Sequence, residues 1–359
     1  MRKVYWFIGL LVCWFGAQAQ TVEQKLAGAV KVFEADSQMR HAIMGLAVMD
    51  AKTGEILYER NSQIGLAPAS TQKIFTSIAG FELLGKDYRY KTRLAYSGKI
   101  TKGDLDGHLY IVGSGDPSLG SWRFSSTKDS LVLLQWIKAV KKAGISRIDG
   151  IVTTNEASFS HQAIPDGWIW QDIGNYYGAG AYQLNWKENQ YEVILRSGDK
   201  INDSVVVVNE NEASPLNNYV NELKTAAKGT GDNAYIYFPL ASDRNVLLTG
   251  TIPAGEKKFT ISGAYPDPVS ELVADFSWAL YGDSVHNSPP CFYRRDLHNR
   301  KKSELDALKF FYTYSSPAYD SLNYWFMRRS INLYGEAFIK TIAYEKEGFG
   351  ETDAGVQLV

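Results

Sequence analysis

An apolar run beside the amino terminus determines which part of this chain belongs to the mature fold and in which compartment it folds. Arg2 and Lys3 precede about 13 mostly apolar residues, Val4 to Gly16, and Ala17-Gln18-Ala19 then provides the small residues of a cleavage site. The run is shorter than the roughly 20 residues that a membrane-spanning helix needs. Residues 1–19 are therefore predicted to be a signal peptide, and the mature protein is expected to be secreted without a transmembrane anchor.

Removal of the signal leaves Cys291 as the only cysteine, so the mature fold has no internal disulfide and depends on its core. About 340 residues remain, which is enough for two or three domains, and 45% of the chain is hydrophobic. The net charge of −1 provides no field that would attract nucleic acid. No His, Cys or Asp cluster has the spacing of a metal site. No cofactor, metal or nucleic-acid partner is expected.

Hydrophobic periodicity predicts a helix over residues 21–35, a hairpin and a second helix over 71–84. The second helix is expected to be buried along an apolar stripe that includes Ile74, Phe75 and Ile78. The hairpin consists of strands at 42–49 and 55–58, joined by a turn over 50–54.

The region from about residue 95 to 300 has the pattern of a mostly β module with two helices, at 130–142 and 268–280. Its short strands are predicted at residues 108–112, 191–195, 204–208, 234–238, 246–250 and 258–262. From about residue 303 the chain is expected to be helical again. The last four residues, 356–359, are expected to start a strand.

Three Ser-x-x-Lys pairs are candidates for a nucleophilic site. A serine becomes a nucleophile when a neutral lysine accepts its proton, and spacing of three places both side chains on one helix face. The spacing alone does not discriminate, because the pairs are Ser70/Lys73, Ser125/Lys128 and Ser197/Lys200. Only Ser70 precedes a long apolar helix that would bury its lysine, so Ser70 and Lys73 are the preferred pair.

A Ser-x-Asn element could bring a second hydroxyl and a carboxamide to the same site. Ser321-Leu322-Asn323 and Ser330-Ile331-Asn332 both lie in helical sequence. The second is followed by a new periodic helix and so occupies a break between helices, where side chains can point into a cleft. Ser330 and Asn332 are therefore preferred.

Four sequence blocks, in order along the chain, resemble the class C low-molecular-mass penicillin-binding proteins, which are D-alanyl-D-alanine carboxypeptidases and endopeptidases. The blocks cover nearly the whole mature chain, so their order is more specific than any one motif. They are Pro68-Ala69-Ser70-Thr71-Gln72-Lys73, Gly115-Asp116-Pro117-Ser118-Leu119, the stretch from Trp168 to Asn189, and Ser330-Ile331-Asn332-Leu333-Tyr334-Gly335-Glu336.

The resemblance implies an α+β, multidomain fold with a penicillin-recognising, β-lactamase/transpeptidase-like catalytic domain that is interrupted by a large, mainly β insertion. Residues 20–95 and 300–359 would form the catalytic domain, 96–170 and 265–299 a first inserted domain, and 171–264 a second, β-rich one. About 260 residues separate Ser70 from Ser330, which leaves room for such an insertion.

Residue roles follow from the resemblance as well. Ser70 would attack the carbonyl of the penultimate D-alanine, Lys73 would accept its proton, and Ser330 with Asn332 would shuttle the proton and hold the peptide. Asp172 and Tyr177 stand where the family contacts the free end of the peptidoglycan stem's diamino acid. The expected partners are peptidoglycan stem peptides and, as covalent inhibitors, β-lactam antibiotics; the expected location is the periplasm of a bacterial cell envelope.

The family's third motif, Lys-Thr-Gly, lies on a strand that comes after Ser-x-Asn. Here the only match is Lys52-Thr53-Gly54, which precedes Ser70 and is predicted to be the hairpin turn. The strand is therefore expected beyond Val359, and the chain to be C-terminally incomplete.

Three other interpretations remain open. A Ser-His-Asp esterase would draw on Gly282-Asp283-Ser284 with His286 or His298, but the sequence has no Gly-x-Ser-x-Gly elbow. A catalytically silent peptidoglycan-binding protein of the same fold would keep the cleft without turnover. An inactive truncated fragment is the third alternative.

Overall fold

The computed structural model describes residues 20–208, 218–238, 245–286 and 305–359. They belong to two compact units, one ending at Ala69 and the other running from Ser70 to Val359. The predicted signal peptide, Cys291 and His298 lie outside the described residues.

The first unit is a helix followed by a hairpin, as predicted. The helix α1 (Val22–Glu34) begins at Thr21, whose hydroxyl accepts the Gln24 N–H while the Gln24 side chain accepts the Thr21 N–H. The strands β1 (Leu46–Met49) and β2 (Ile56–Arg60) pair antiparallel.

The connection between β1 and β2 is a tight turn at Lys52-Thr53-Gly54. The Asp50 carboxylate accepts the backbone N–H groups of Lys52 and Thr53 at 2.8 and 2.9 Å, and Gly54 has a φ of 76°, a value that glycine adopts without strain. The interpretation of this tripeptide as a turn is confirmed.

The second unit contains seven helices and fourteen strands among its described residues. In chain order they are α2 (Lys73–Leu83), β3 (Lys91–Tyr96), β4 (Lys99–Thr101), β5 (Asp104–Asp106), β6 (Leu109–Val112), α3 (Asp129–Lys142), β7 (Arg147–Ile148), β8 (Val152–Asn155), α4 (Trp170–Ile173), β9 (Gln190–Arg196), β10 (Val206–Val207), β11 (Asn218–Asn221), β12 (Lys224–Ala226), β13 (Asn233–Tyr237), β14 (Asn245–Pro253), β15 (Phe259–Ala264), α5 (Pro268–Gly282), β16 (Lys309–Ser315), α6 (Tyr319–Arg329), α7 (Asn332–Glu347) and α8 (Thr352–Gln357).

The largest core of this unit lies between a four-stranded sheet, ordered β16-β3-β6-β8, and the helices α3 and α5. Trp136 of α3 and Phe276 of α5 are fully buried and meet edge to face, with ring centroids 5.1 Å apart. A small sheet, β4-β5-β7, adds Leu105 and Ile148 to the same core.

Two further sheets form the β-rich part of the insertion. One is ordered β10-β9-β15, and in the other β14 pairs with β11, β12 and β13. Together they enclose a separate core that includes Val193, Ile236 and Leu248. The strand predictions for 191–195, 234–238 and 258–262 are confirmed within a residue or two. The strand predicted at 246–250 extends three residues further, to Pro253, and the one predicted at 204–208 shrinks to the two residues of β10.

The helices α2, α6 and α7 pack together around an aromatic core of Tyr319, Phe326 and Phe338. The approach of α2 to α6 depends on Gly80, because a Cβ added there would lie 1.9 Å from the Tyr319 hydroxyl. This hydroxyl donates to the Ser77 carbonyl of α2 at 3.0 Å. The arrangement fixes the helix that begins with Lys73.

The predicted burial of α2 is wrong for three residues of its apolar stripe, because Ile74, Phe75 and Ile78 are 48, 66 and 55% exposed. The prediction is right for Ala79, Phe81 and Leu84 of the same stripe: Ala79 is buried, and the two larger residues pack against the aromatic core. The other buried residues of the helix are Ser77 and Gly80, whose small side chains allow α2 to approach α6 closely. Periodicity thus identified the helix and part of its buried face.

Two predictions for the carboxyl-terminal region are also wrong. Residues 309–315 form the strand β16, whose aromatic and β-branched residues favour extended structure and which pairs antiparallel with β3. The last residues do not start a strand but belong to α8, which packs on α7 where Gly355 lies against Ile339. The three-domain division stays a prediction.

Candidate active site

Ser70 and Lys73 form a hydrogen-bonded pair at the start of α2. Ser70 lies in a short 3-10 turn, Ala69–Gln72, and Lys73 is the first residue of the α-helix that follows. The Lys73 ammonium nitrogen, Nζ, lies 3.1 Å from Ser70 Oγ, within reach for proton transfer. The Ser70 side chain is exposed and Lys73 is half-buried, so a substrate can approach the hydroxyl from solvent.

Asn332 joins this pair from the other end of the sequence. Lys73 Nζ donates to Asn332 Oδ1 at 2.7 Å, and Asn332 Nδ2 donates to the Tyr177 carbonyl at 2.8 Å. Because Asn332 is the first residue of α7, its side chain projects from a helix end rather than from a packed face. The carboxamide thus connects the lysine to the segment that contains Tyr177.

Ser330 lies at the break between α6 and α7, as predicted. Its φ of 54° is in the left-handed region, and it ends α6. The hydroxyl makes no hydrogen bond to another described residue, so Asn332, but not Ser330, is hydrogen-bonded to Lys73. Of the competing pair, Ser321 is exposed and Asn323 is buried within α6, and neither is among the hydrogen-bond partners of the Lys73 side chain, Ser70 and Asn332.

The other two Ser-x-x-Lys pairs lie in loops or at a helix start, and in the described part of the chain their serines and lysines are not hydrogen-bonded to each other. Ser197 Oγ donates to the Pro253 carbonyl at 2.7 Å and accepts the Glu256 N–H at 2.9 Å, which joins two loops. Lys128 is the residue immediately before α3. Neither lysine forms a hydrogen bond with its serine among the described residues.

The surroundings of Lys73 shift its protonation equilibrium toward the neutral amine. Partial burial lowers the pKa of Lys73, and the negative charge of Glu336 opposes this shift. A lower pKa increases the fraction of the amine that is neutral near pH 7, and only the neutral amine can accept a proton.

Asp172 and Tyr177 are brought close together by a short helical segment. Asp172 lies in α4 and Tyr177 in the 3-10 turn Tyr176–Gly178. Burial raises the pKa of Tyr177 to about 12, and the carboxylate of Asp172 contributes to this rise. Asn175 fixes the segment, because its amide donates to the Gln171 carbonyl at 2.7 Å and accepts the Ile236 N–H at 3.1 Å.

Sequence reasoning missed a buried carboxylate that supports this site. Glu188 is fully buried and accepts hydrogen bonds from Ser121 at 2.6 Å, Arg123 at 2.7 Å and Tyr334 at 3.0 Å. Tyr334 lies two residues after Asn332, so Glu188 fixes the first turn of α7. Lys187, Glu188 and Asn189 all have φ values near 50°, and nothing in their side chains signals this conformation.

Neither a metal centre nor a membrane helix emerges from the described residues. No group of three His, Cys, Asp or Glu side chains there could hold a metal ion. No helix in the described ranges is long and apolar enough to cross a bilayer.

A hydrogen-bonded serine and lysine at a helix start, with an asparagine from a distant helix, is the arrangement of a serine hydrolase that uses lysine as its base. Residues 26–359 match the D-Ala-D-Ala carboxypeptidase 3 (S13) family. The chain therefore belongs to this family of serine-type carboxypeptidases, and the resemblance to low-molecular-mass penicillin-binding proteins is confirmed.

Individual relatives agree with this assignment. The chain is 25% identical over 335 residues to a D-alanyl-D-alanine carboxypeptidase of Actinomadura, covering 89% of this chain and 58% of the relative. It is 28% identical over 173 residues to the D-alanyl-D-alanine carboxypeptidase DacB of Haemophilus influenzae, covering 48% of this chain and 34% of that protein. The chain thus spans little more than half the length of the first relative.

The fold is similar to that of penicillin-binding protein 4 from Haemophilus influenzae. Its crystal structure matches with a TM-score of 0.67 at 19% identity, covering 88% of this chain and 65% of that one. A second crystal structure of that protein, complexed with a novel β-lactam, matches with a TM-score of 0.62 at 17% identity, covering 89% of this chain and 65% of that one. The mixed α/β architecture with several small sheets is thereby shared.

Proposed function

We propose that this chain provides the nucleophile of a D-Ala-D-Ala carboxypeptidase/endopeptidase that acts on peptidoglycan stem peptides through an acyl-enzyme on Ser70. The observation that carries the proposal is the continuous hydrogen-bonded path from Ser70 Oγ through Lys73 Nζ to Asn332. It holds the base beside the nucleophile and leaves the serine open to solvent.

The chemistry follows from these positions. Lys73 Nζ accepts the hydroxyl proton while Ser70 Oγ bonds to the carbonyl carbon of the penultimate D-alanine, and the backbone N–H of Ser70 donates to the developing oxyanion. The carbon–nitrogen bond then breaks, and the departing amine takes the proton from Lys73, with Ser330 as a relay. Water attacks the ester, and Lys73 accepts its proton and returns it to Ser70 Oγ.

The leaving amine distinguishes the two activities in the proposal. Terminal D-alanine leaves in carboxypeptidase action, and the side-chain amine of a cross-linked stem leaves in endopeptidase action. Asp172 is proposed to bind the ammonium end of the diamino acid, and Tyr177 to line the same subsite. The closeness of the two side chains, through which the Asp172 carboxylate raises the pKa of Tyr177, supports their placement in one subsite.

A β-lactam ring would react in the same way, because its amide carbonyl replaces the peptide carbonyl and the ring nitrogen remains attached after opening. The chain is accordingly proposed to bind β-lactams covalently. We also propose that the chain has a catalytic domain interrupted by a two-part, mainly β insertion. We propose in addition that it is secreted to the periplasm.

A catalytically silent peptidoglycan-binding protein is the second candidate. Each of the features above except the lowered pKa of Lys73 would also suit a protein that binds stem peptides without turnover. A covalent adduct separates the two, because a silent binder forms none.

The test is incubation of the chain with a fluorescent penicillin, followed by intact-mass and peptide mapping. We expect one adduct on Ser70 that is absent in Ser70→Ala and present in Ser125→Ala, the matched change in another Ser-x-x-Lys pair. Release of D-alanine from a stem pentapeptide is expected to show the same dependence. A well-folded chain that is never acylated would favour the silent binder.

A further inference from the structure

A partly buried carboxylate, that of Glu336, lies one helical turn after Asn332. Glu336 follows Asn332 by four residues on α7, so the two side chains lie on the same helix face. Its Oε2 atom is inaccessible to solvent and has no hydrogen-bond partner among the described residues. Burying a charged oxygen without a donor is costly unless other charges compensate for it.

The compensating charge on one side is Lys340, a further four residues along α7. Lys340 is fully buried, and its Nζ donates to the Gln162 carbonyl at 2.6 Å and to the Ala181 carbonyl at 3.0 Å. These acceptors are neutral, so they fix the ammonium without cancelling its charge. Burial lowers the pKa of Lys340 to about 8, and the nearby carboxylates of Glu336 and Glu351 oppose the shift.

The compensating charge on the other side is Lys73. The hydrogen bond from Lys73 Nζ to Asn332 Oδ1 places the amine next to the first turn of α7, and Glu336 lies one turn further along the same face. The two lysines are the charged groups that stabilise the ionised form of Glu336, while burial raises its pKa. Glu336 therefore lies between two cations, one structural and one at the nucleophile.

We infer that Glu336 is the counter-ion of Lys73, a positioning residue that stabilises the ammonium formed when Lys73 takes the proton of Ser70. The inference rests on the proposed function for its catalytic consequence. No hydrogen bond joins Glu336 to Ser70 among the described residues, and Glu336 would act through Lys73, which is hydrogen-bonded to Ser70. Below about pH 8, where Lys340 carries its charge, Lys340 favours the ionised form of Glu336 while Lys73 alternates between its neutral and protonated forms.

This role has two opposite effects on the base. With the carboxylate present, Lys73 has a higher pKa, which reduces the neutral fraction at low pH but makes the amine a stronger base. Removing the Glu336 charge shifts the pH at which the acylation rate rises to a lower value, because Lys73 then stays neutral at lower pH. It also lowers the plateau rate, because a weaker base accepts the serine proton less readily.

The experiment compares Glu336→Gln with Glu347→Gln, a matched change at an exposed position of the same helix. Acylation by a chromogenic β-lactam is measured from pH 5 to 10. We expect Glu336→Gln to move the acid limb down by about one pH unit, as removal of a close opposite charge does, and to lower the plateau severalfold. Glu336→Asp should restore most of the wild-type profile, and Glu347→Gln should leave it unchanged.

A second measurement separates this inference from the proposed function. The Lys73 Nζ resonance is titrated by NMR in ¹⁵N-lysine-labelled protein and assigned with Lys73→Arg. A lower Lys73 pKa in Glu336→Gln supports the inference even if the wild type is never acylated, a result that would overturn the proposed function alone. An unchanged Lys73 pKa, or a changed melting temperature with an unchanged Lys73 titration, would overturn the counter-ion role.

Discussion

Lys73 Nζ and Asn332 Oδ1 lie 2.7 Å apart although 259 positions separate the two residues in the sequence. The contact joins the first residue of α2 to the first residue of α7. Both side chains therefore project from helix starts, where backbone N–H groups are free of intrahelical partners and favour negative charge. The negative charge that develops on Ser70 Oγ as it loses its proton would be stabilised in this environment.

The role of Asn332 can be tested by Asn332→Ala. We expect acylation to slow roughly tenfold or more, because a hydrogen bond to a charged group contributes about 1.5–3 kcal/mol and orients the lysine. The rate constant of acylation by a fluorescent penicillin measures the effect. Unchanged acylation would show that Lys73 does not need this acceptor.

The two Ser-x-Asn candidates differ in what their serines should do. We expect Ser330→Ala to slow acylation by about 10²-fold, the usual effect of losing a proton-relay group, and Ser321→Ala to leave it unchanged. Both hydroxyls are exposed, so neither change should alter the melting temperature. The reverse ranking of rates would assign the motif to Ser321 and Asn323.

The packing of α2 predicts opposite effects for two glycine substitutions. Gly80→Ala should destabilise the fold by about 1–3 kcal/mol, as overpacking does, because the new Cβ would overlap the Tyr319 ring. Gly28→Ala lies in α1 with no atom within 4 Å, and should stabilise the chain by about 0.5–1 kcal/mol. Urea unfolding monitored by circular dichroism measures both, and equal midpoints would contradict the prediction.

Asp116 should make stability depend on pH. Burial raises its pKa from near 3.8 to about 6 in the folded protein, so the folded state favours the protonated carboxyl. The contribution of Asp116 to the free energy of unfolding is therefore most favourable below about pH 4 and falls by about 3 kcal/mol as the pH rises through 6.

Asp116→Asn should flatten this slope in urea midpoints measured between pH 4 and 7, with the exposed Asp106→Asn as the control. A slope that survives Asp116→Asn would locate the titrating group elsewhere.

Long periodic segments were predictable, and short segments whose structure depends on their neighbours were not. The helices α2, α3 and α5 follow from apolar spacing alone. The strand β16 lies between helical stretches and is extended because it completes the sheet beside β3. Burial of one face of α2 depends on the small residue Gly80. Hydrophobic periodicity does not identify such a residue, because glycine has no apolar side chain.

The candidate site was predictable to the extent that its residues occur in motifs. Ser70, Lys73 and Asn332 meet as expected, whereas the contact to Tyr177 is made by its carbonyl, which no side-chain pattern announces. Glu336 and Lys340 did leave a signal, because they recur at four-residue spacing after Asn332 in an otherwise apolar helix face. The carboxylate of Glu188 left none, since its position depends on three left-handed residues.

The long sequence separation between Lys73 and Asn332 also affects when the site can form during folding. Forming such a contact requires closure of a very long loop, which is slow and occurs late in folding. A chain interrupted before residue 332, by incomplete synthesis or by proteolysis, retains Ser70 and Lys73 but lacks Asn332, to which Lys73 donates. If Ser70 is the nucleophile, as proposed, we expect such partial products to react with penicillin more slowly than the chain that includes α7.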